Sequence, residues 1–282
     1  EIYLEYMSEL KSKNEVDFND MINYAIKVLN KGGKMKKYKY IIIDEYQDTS
    51  LTKYNLIKTI KNKTQAKLFC VGDDFQSIYR FTGCNLNIFL NFKKYYKNSR
   101  IMKIENTYRN CKDLIKVSGN FIMKNNHQMR KKLKSSKKLK KPIKIIYYKS
   151  IKDSFEKIIL DIYSKNNNGI MVLGRNNNDI YKYLNSNFKL ENQNIIYLKN
   201  ENIKIRYLTV HKSKGLEEEN VIIINLENKF LGFPNQIKDD EILRLVSKKF
   251  EKYPFSEERR LFYVALTRTK NYVYLLTPCK NK

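Results

Sequence analysis

Two adjacent carboxylates, Asp44 and Glu45, follow the apolar run Tyr40-Ile41-Ile42-Ile43. Their types and order fit two tasks in phosphoryl transfer. Asp44 offers a hard oxygen ligand to Mg²⁺, an ion that gives up its waters reluctantly. Glu45, one residue on and pointing elsewhere, can orient or deprotonate a water that attacks a γ-phosphate. A bare Asp-Glu pair is more often a solvated acidic loop, so the rest of the chain has to decide. A second cluster runs from Gly72 to Gly83. Gly72 lets backbone approach a phosphate, and Gln76 supplies an amide able to sense one. Tyr79 and Phe81 flank Arg80, aromatics interleaved with a cation, which is the chemistry of a platform for stacked single-stranded bases. Taken alone, two such aromatics are more often packing residues. A third cluster, Thr209-Val210-His211-Lys212-Ser213-Lys214-Gly215-Leu216-Glu217, mixes small, basic and glycine residues that suit phosphates. Glu217 can accept a hydrogen bond from a ribose hydroxyl, whereas His211 by itself reads as an ordinary surface histidine. A fourth places Arg260, Val264 and Arg268 at intervals of four, so the arginines of a helix there emerge near one face. An arginine aimed at a γ-phosphate acts as an arginine finger; a surface salt-bridge ladder is the competing reading.

The elements that must position these groups are legible around them. Ile41, Ile42 and Ile43 read as a strand buried on both faces, the kind found inside a parallel sheet. In open α/β sheets, ligands bind at the carboxyl ends of strands, where Asp44 and Glu45 stand. Upstream, residues 2–10 carry a helical stripe. Asp17 can cap a second helix with Phe18, Met21, Ile22, Ala25, Ile26 and Leu29 on one side, and Gly32-Gly33 ends it. A helix over 51–60 behind Thr49-Ser50 and a strand over 68–71 complete a strand–helix–strand unit. A helix over 85–96 and a strand over 101–105 follow. Residues 131–144 form a basic, low-complexity run, read first as a solvated loop that could also track a phosphate backbone. Strands are then expected over 143–148, 170–173, 195–198, 206–209, 221–225 and 272–276. Ser256 is expected to cap a last helix whose first turn carries Glu257 and Glu258. The fold class is α/β, with a second α/β domain after the first.

Composition bounds the partners. The 282 residues hold 56 Lys+Arg against 29 Asp+Glu, a formal charge of +27. Such a balance points to a polyanion, nucleic acid being the usual one, although the abundance of Lys, Asn, Ile and Tyr also fits A+T-rich coding. Cys70, Cys84, Cys111 and Cys279 show no metal-binding spacing and read as reduced cytoplasmic thiols. No apolar run reaches the ~18 residues of a membrane span, so no membrane partner is expected.

These clusters, in this order, resemble the later motifs of the UvrD/Rep-type superfamily 1 DNA helicases. Asp44–Asp48 resembles the family's Asp-Glu motif, Gly72–Gly83 its GDxxQSIYxFxG motif, and Tyr108-Arg109 its YR pair. Thr209–Glu217 resembles TxHxSKGLE, and Glu257–Arg268 resembles EERRLxYVALTR. Thr107-Tyr108-Arg109, Asn126-His127-Gln128 and Gly232-Phe233-Pro234 lean toward the helicase IV branch. The resemblance implies two RecA-like parallel-sheet domains, 1–97 and 98–282, the first lacking its start, with ATP in the cleft between them. It implies that Asp44 serves Mg²⁺ and Glu45 activates water, with Gln76, Arg109 and Arg268 around the γ-phosphate. Tyr108 would stack on adenine, Glu217 would hold the ribose with Gly215 beside it, and Tyr79, Phe81, Thr209 and His211 would line the path of single-stranded DNA. Translocation on single-stranded DNA, generally 3′ to 5′, and unwinding of duplex DNA would follow, with repair proteins or RNA polymerase as further partners. Thr82 departs from a frequent Arg, and Thr269 from a usual Ala. The sequence also contains no GxxxxGK[ST]. That loop lies before the Asp-Glu motif in the family, so the expectation is a chain that starts after it and does not hydrolyse ATP alone. The rival readings are a nucleic-acid-binding fragment without catalysis and an ATPase that remodels RNA polymerase.

Overall fold

The computed structural model describes residues 1–166, 169–237, 251 and 253–279. The chain divides into two compact units, Glu1–Arg100 and Ile101–Lys282.

In the first unit the isoleucine run forms strand β1 (Tyr40–Ile43), which pairs in parallel with β2 (Lys67–Cys70), Ile41 opposite Leu68 and Ile43 opposite Cys70. Helices α1 (Ile2–Ser12) and α2 (Phe18–Asn30) precede this pair, and α3 (Leu51–Thr64) connects its strands. Ser50 caps α3 by accepting from the Lys53 N–H, and Asp17 caps α2 in a reciprocal box with Asp20. The expected α2 helix forms, and its apolar stripe is not fully buried. Phe18 is 87% and Met21 58% exposed, while the α2 residue that is buried is the capping Asp20. Nor is β1 buried on both faces, since Tyr40 and Ile42 alternate outward with Ile41 and Ile43 half-buried. The packed part of this unit lies beneath the strand ends. There Tyr46, Tyr54 and Ile88 form a cluster joined by Phe89, Phe92, Tyr95 and Tyr96. The helix expected over 85–96 is two short ones, α4 (Leu86–Leu90) and α5 (Phe92–Tyr95), divided at Asn91. The Asn91 side chain donates to the Asn87 carbonyl, a local bond that competes with helix continuation.

The second unit is built on one seven-stranded sheet. Its strands are β3 (Ile143–Tyr148), β4 (Ile170–Gly174), β5 (Phe188–Glu191), β6 (Asn194–Tyr197), β7 (Ile205–Thr209), β8 (Glu218–Ile223) and β9 (Thr269–Pro278), in the spatial order β3-β9-β8-β4-β7-β6-β5. The pairs from β3 to β7 are parallel, and β5 and β6 form an antiparallel hairpin at one edge. Helices α6 (Lys112–Ile122), α7 (Ile151–Asn166) and α8 (Ser256–Leu266) accompany it. Every residue of the central strand β4 is buried, as parallel sheets require. Phe155, Ile159 and Ile162 of α7 pack on Val172, Ile205, Ile222 and Tyr274.

Three expectations change in this unit. Residues 101–105 are not a strand: Met102 and Ile104 are 79% and 82% exposed, and the pairing there is one isolated bridge, Asn106 with Lys134. Ser256 is the first residue of α8 rather than its cap. Phe255, with φ 52°, holds the cap position and makes no side-chain capping bond. The lysine-rich run is pinned to the fold by main-chain bonds on both sides of Tyr108, Thr107 N–H to the Lys134 carbonyl and Lys112 N–H to the Lys137 carbonyl. Among the described residues no helix is long and apolar enough to cross a membrane.

Candidate functional site

In the first unit, the site residues hang from the carboxyl ends of β1 and β2. The Asp44 carboxylate accepts from the Glu45 N–H at 2.8 Å and is otherwise exposed. Glu45 has φ 49° and ψ 38°, left-handed for a residue with a side chain. Such a conformation persists only where surroundings impose it. What imposes it here is a turn: Tyr46 N–H reaches the Val71 carbonyl, and Asp48 N–H reaches that of Glu45. The side chain of Gln47, fully buried, then joins two motif loops. Its amide N–H donates to a Glu45 carboxylate oxygen, and its carbonyl accepts from Asp73 N–H at 2.9 Å. Asp73 in turn accepts from Gln76 Nε2 at 2.8 Å and from Phe75 N–H at 3.0 Å. Glu45, Gln47, Asp73 and Gln76 therefore form one continuous chain of hydrogen bonds. Neither Gln47 nor Asp73 stood out as functional in the sequence; their signal is only that each sits between residues that did.

Gly72 has a different reason from the one expected. A Cβ there would lie 2.5 Å from the Gln47 carbonyl oxygen and 2.7 Å from the Phe89 ring. It is the Gln47 amide, packed against the strand end, that needs the missing side chain. Nearby, the Tyr79 and Phe81 rings meet edge to face, 6.1 Å apart. Phe81 remains 73% exposed, so an aromatic face is offered to solvent.

Asp44 fits the outer-sphere binding that Mg²⁺ favours. It is an exposed carboxylate with oxygen lone pairs beyond those given to Glu45, at a strand end. No cluster of three or more His, Cys, Asp or Glu placed to hold a metal occurs among the described residues. A single carboxylate suits an ion that takes its other ligands from water and phosphate.

In the second unit, three segments far apart in sequence converge. Arg109 Nε donates to Glu217 Oε2 at 2.5 Å, and Lys270 stands 3.5 Å from Glu217 and 3.3 Å from Glu219. The Arg109 hydrogen bond, with Lys270 adding charge, holds the Glu217 carboxyl below the ordinary glutamate range. Arg268 is buried, its Nε donating to the Val264 carbonyl at 3.1 Å and its Nη1 to the Leu216 carbonyl at 3.3 Å. Glu218 N–H donates to the Arg268 carbonyl at 3.0 Å. The buried Asn110 closes the cluster: its Nδ2 donates to the Thr269 carbonyl at 2.7 Å and to the Thr267 carbonyl at 3.3 Å, the two residues flanking Arg268. Tyr108, next to this junction, is 85% exposed, and Gly215 takes φ 83°, open to glycine at no steric cost.

Arg268 does not lie on the helix face inferred from its spacing. Helix α8 stops at Leu266 with Thr267 as its C-cap, and β9 starts at Thr269. Arg260 pairs with Glu251.

Thr209 is buried at the end of β7, and its hydroxyl accepts from Lys212 N–H. His211 is half-buried, and its pKa is lowered to about 4, first by desolvation and then by the cation of Arg175. Arg175 directly follows the buried strand β4 and pairs with Glu258 at 2.8 Å, while Glu258 also accepts from Asn235 N–H. Arg175 was legible by the strand-end rule that singled out Asp44, and the sequence reading passed over it.

Comparison with known proteins gives the family. Residues 1–97 match the UvrD/REP helicase N-terminal domain, and residues 181–279 match the UvrD-like helicase C-terminal domain. DNA helicase IV of Escherichia coli (strain K12) is 32% identical over 95% of this chain and 38% of its own length. ATP-dependent DNA helicase Rep of Buchnera aphidicola subsp. Acyrthosiphon pisum is 37% identical over 58% of this chain and 26% of its own. ATP-dependent DNA helicase PcrA of Bacillus subtilis (strain 168) is 32% identical over 53% and 20% respectively. The chain belongs to the UvrD/Rep helicase family. It spans about two fifths or less of the length of these relatives.

Proposed function

We propose that this chain is the part of an ATP-dependent DNA helicase that couples ATP hydrolysis to 3′–5′ movement along single-stranded DNA and to duplex unwinding. The observation that carries the reading is the convergence of residues 108–110, 215–218 and 267–270 into one hydrogen-bonded cluster in the second unit. Two arginines, an exposed tyrosine and a carboxylate gathered at strand ends suit a nucleotide better than any other small ligand. Tyr108 has the exposed ring that adenine stacking needs, and Glu217 the carboxylate that a ribose hydroxyl needs.

Arg109 and Arg268 are the cations that answer charge spreading over the γ-phosphate oxygens. Mg²⁺, when bound, neutralises phosphate charge, and Asp44 is the residue that would orient its waters. Glu45 takes the proton of the attacking water, held in position by the Gln47 amide, and Gln76 senses the phosphate through the same chain of bonds. Phe81 and Tyr79 receive stacked bases, with Thr209 and His211 along the strand. The sequence between Glu1 and Lys282 offers no Gly-rich loop and lysine to grip the β- and γ-phosphates. By itself this chain therefore turns ATP over negligibly.

The test is steady-state phosphate release by the full-length protein with saturating single-stranded DNA. Arg268→Ala should lower turnover by about 10³-fold or more, as for other arginine fingers. A loss under fivefold, with the fold intact, would leave Arg268 a purely structural residue.

A further inference from the structure

The lysine-rich run before β3 meets the nucleotide cluster through its main chain and Lys137, and its other lysines have no role there or on the aromatic platform. Residues 114–152 hold twelve lysines and one arginine and no Asp or Glu. The middle of this stretch is a strap with fixed inner contacts. Lys134 N–H donates to the Glu105 carbonyl at 2.7 Å, Lys132 N–H to Glu105 Oε1 at 3.1 Å, and Lys103 Nζ to the Arg130 carbonyl at 2.8 Å. Lys137 turns inward, its Nζ donating to the Lys270 carbonyl at 2.7 Å and to Asn271 Oδ1 at 3.1 Å.

Its outer side is different. From 132 to 140 exposure alternates, with Lys132, Lys134, Ser136, Lys138 and Lys140 outward and Leu133, Ser135, Lys137 and Leu139 turned in. Among the described residues no carboxylate pairs with Lys132, Lys134, Lys138 or Lys140, although the second unit pairs lysines 165, 189, 199, 229 and 270. Four exposed cations thus fall within nine residues of a segment tied to the fold by main-chain bonds, and among the described residues none of the four pairs with a carboxylate. Desolvated cations without counter-charges are unfavourable inside a protein, but a solvated group of them costs little and attracts a polyanion.

We propose that this strap is a binding surface for the phosphate backbone of duplex DNA, separate from the single-strand path. The choice of duplex follows from what is missing on the outer side. No aromatic or other apolar residue stands among the outward positions. The strap therefore offers neither the stacking platform that single strands use nor the apolar anchor of a membrane-surface segment. What remains is sequence-independent pairing with phosphates. The proposal rests on the DNA-helicase reading and adds to it a second contact, placed on the segment whose main chain brackets Tyr108-Arg109-Asn110.

The experiment uses the chain 1–282 and fluorescence anisotropy over a salt series, with a blunt duplex and an oligo-dT strand as probes. The quadruple variant Lys132→Gln, Lys134→Gln, Lys138→Gln, Lys140→Gln should reduce the duplex salt slope by about 3–4, at roughly 0.9 for each phosphate no longer neutralised. Between 50 and 200 mM salt this removes roughly a hundredfold of the parent's loss in affinity. Oligo-dT affinity should stay within twofold of the parent, which also reports an intact fold. The double variants Lys132→Gln/Lys134→Gln and Lys138→Gln/Lys140→Gln should each show about half the change. A charge-matched control, Lys58→Gln, Lys63→Gln, Lys93→Gln, Lys94→Gln, should change the duplex slope by less than about 1. An unchanged duplex slope in the strap variant would overturn the proposal. So would equal losses on both probes, or an equal effect of the control, since either means diffuse attraction by net charge. Failure of the parent to bind oligo-dT would count against the single-strand reading alone, because the duplex arm is read independently.

Discussion

The two sheets of this protein carry candidate site residues at their strand ends in the same way, yet they differ in how they are held. In the second unit β4 is buried at every residue, between strands on both sides and under α7. In the first, β1 and β2 have each other as sheet partners, and neither contains a fully buried residue. Ile42 is 73% and Phe69 60% exposed. An isolated pair of parallel strands gains little from burial and leaves hydrogen-bonding edges open. The first unit keeps its site in shape mainly through the aromatic cluster of Tyr46 and Tyr54 and through the Gln47 amide. A strand-end site can thus be locally ordered on a sheet that is not itself a stable core.

The largest consequence is for the two units expressed apart. Residues 101–282 should unfold in urea as one sigmoidal transition with an m-value of about 1–3 kcal/mol/M. Residues 1–100 should show no cooperative transition, and should bind a dye for exposed apolar surface at neutral pH. Far-UV circular dichroism during urea titration of each piece is the measurement. A cooperative transition in 1–100 comparable to that of 101–282 would mean that the aromatic cluster is a sufficient core, and the contrast between the sheets would fall.

The two units share one device, which permits a finer comparison. In each, a buried side-chain amide ties together two candidate site segments, Gln47 that of Glu45 and that of Asp73, and Asn110 its own and the one from Thr267 to Thr269. Removing a partner from a buried carbonyl costs about 1–3 kcal/mol. Asn110→Ala should therefore destabilise the second unit by that amount in urea titrations of the whole chain. Asn110→Asp should cost at least as much, because an ionised carboxylate would face two carbonyl oxygens. Gln47→Ala should change the urea midpoint less, since no well-packed sheet transmits the loss. Instead it should free the Glu45 turn, which a nuclear magnetic resonance spectrum of the Glu45 and Asp73 amides would register. Equal midpoint shifts for Gln47→Ala and Asn110→Ala would show that the units are equally cooperative.

The same contrast explains what could be read in the sequence. Strands β3, β4, β6, β7 and β9 were legible because continuous runs such as Ile170-Met171-Val172-Leu173 have no other way to be buried. The helix caps at Asp17 and Ser50 were legible because their chemistry is local. Residues 101–105 have the same composition as a strand, but strand formation needs a neighbour, which composition does not supply. The hairpin β5–β6 was half missed because Phe188-Lys189-Leu190-Glu191 is short and charged at alternate positions. The motif residues stand out by type and spacing, whereas their wiring does not. That Arg109 would meet Glu217, or that Asn110 would straddle Arg268, depends on loops closing over more than a hundred residues. No local pattern encodes such distances.

The smallest effect expected concerns pH, and it sets the His211 site against the Glu217 carboxylate of the same unit. Desolvation, with help from the Arg175 cation, lowers the His211 pKa from 6.5 to about 4. The fold therefore prefers neutral His211, and the unfolded chain takes up its proton first as acid is added. Stability from this group is complete above about pH 6.5 and is lost as pH falls toward 4, below which the dependence flattens. A shift of this size corresponds to about 3 kcal/mol at most. His211 is only part-buried, and solvent screening reduces this to roughly 1 kcal/mol between pH 7.5 and 5. Glu217, whose pKa is also lowered, adds its own loss at more acidic pH, as its carboxylate becomes protonated and releases Arg109. Comparing wild type with His211→Gln separates the two. The variant should lose about 1 kcal/mol less over pH 7.5 to 5 in urea titrations, and should parallel the wild type below pH 4. Superimposed profiles from pH 7.5 to 5 would mean that His211 titrates near its ordinary value and that Arg175 exerts no field on it.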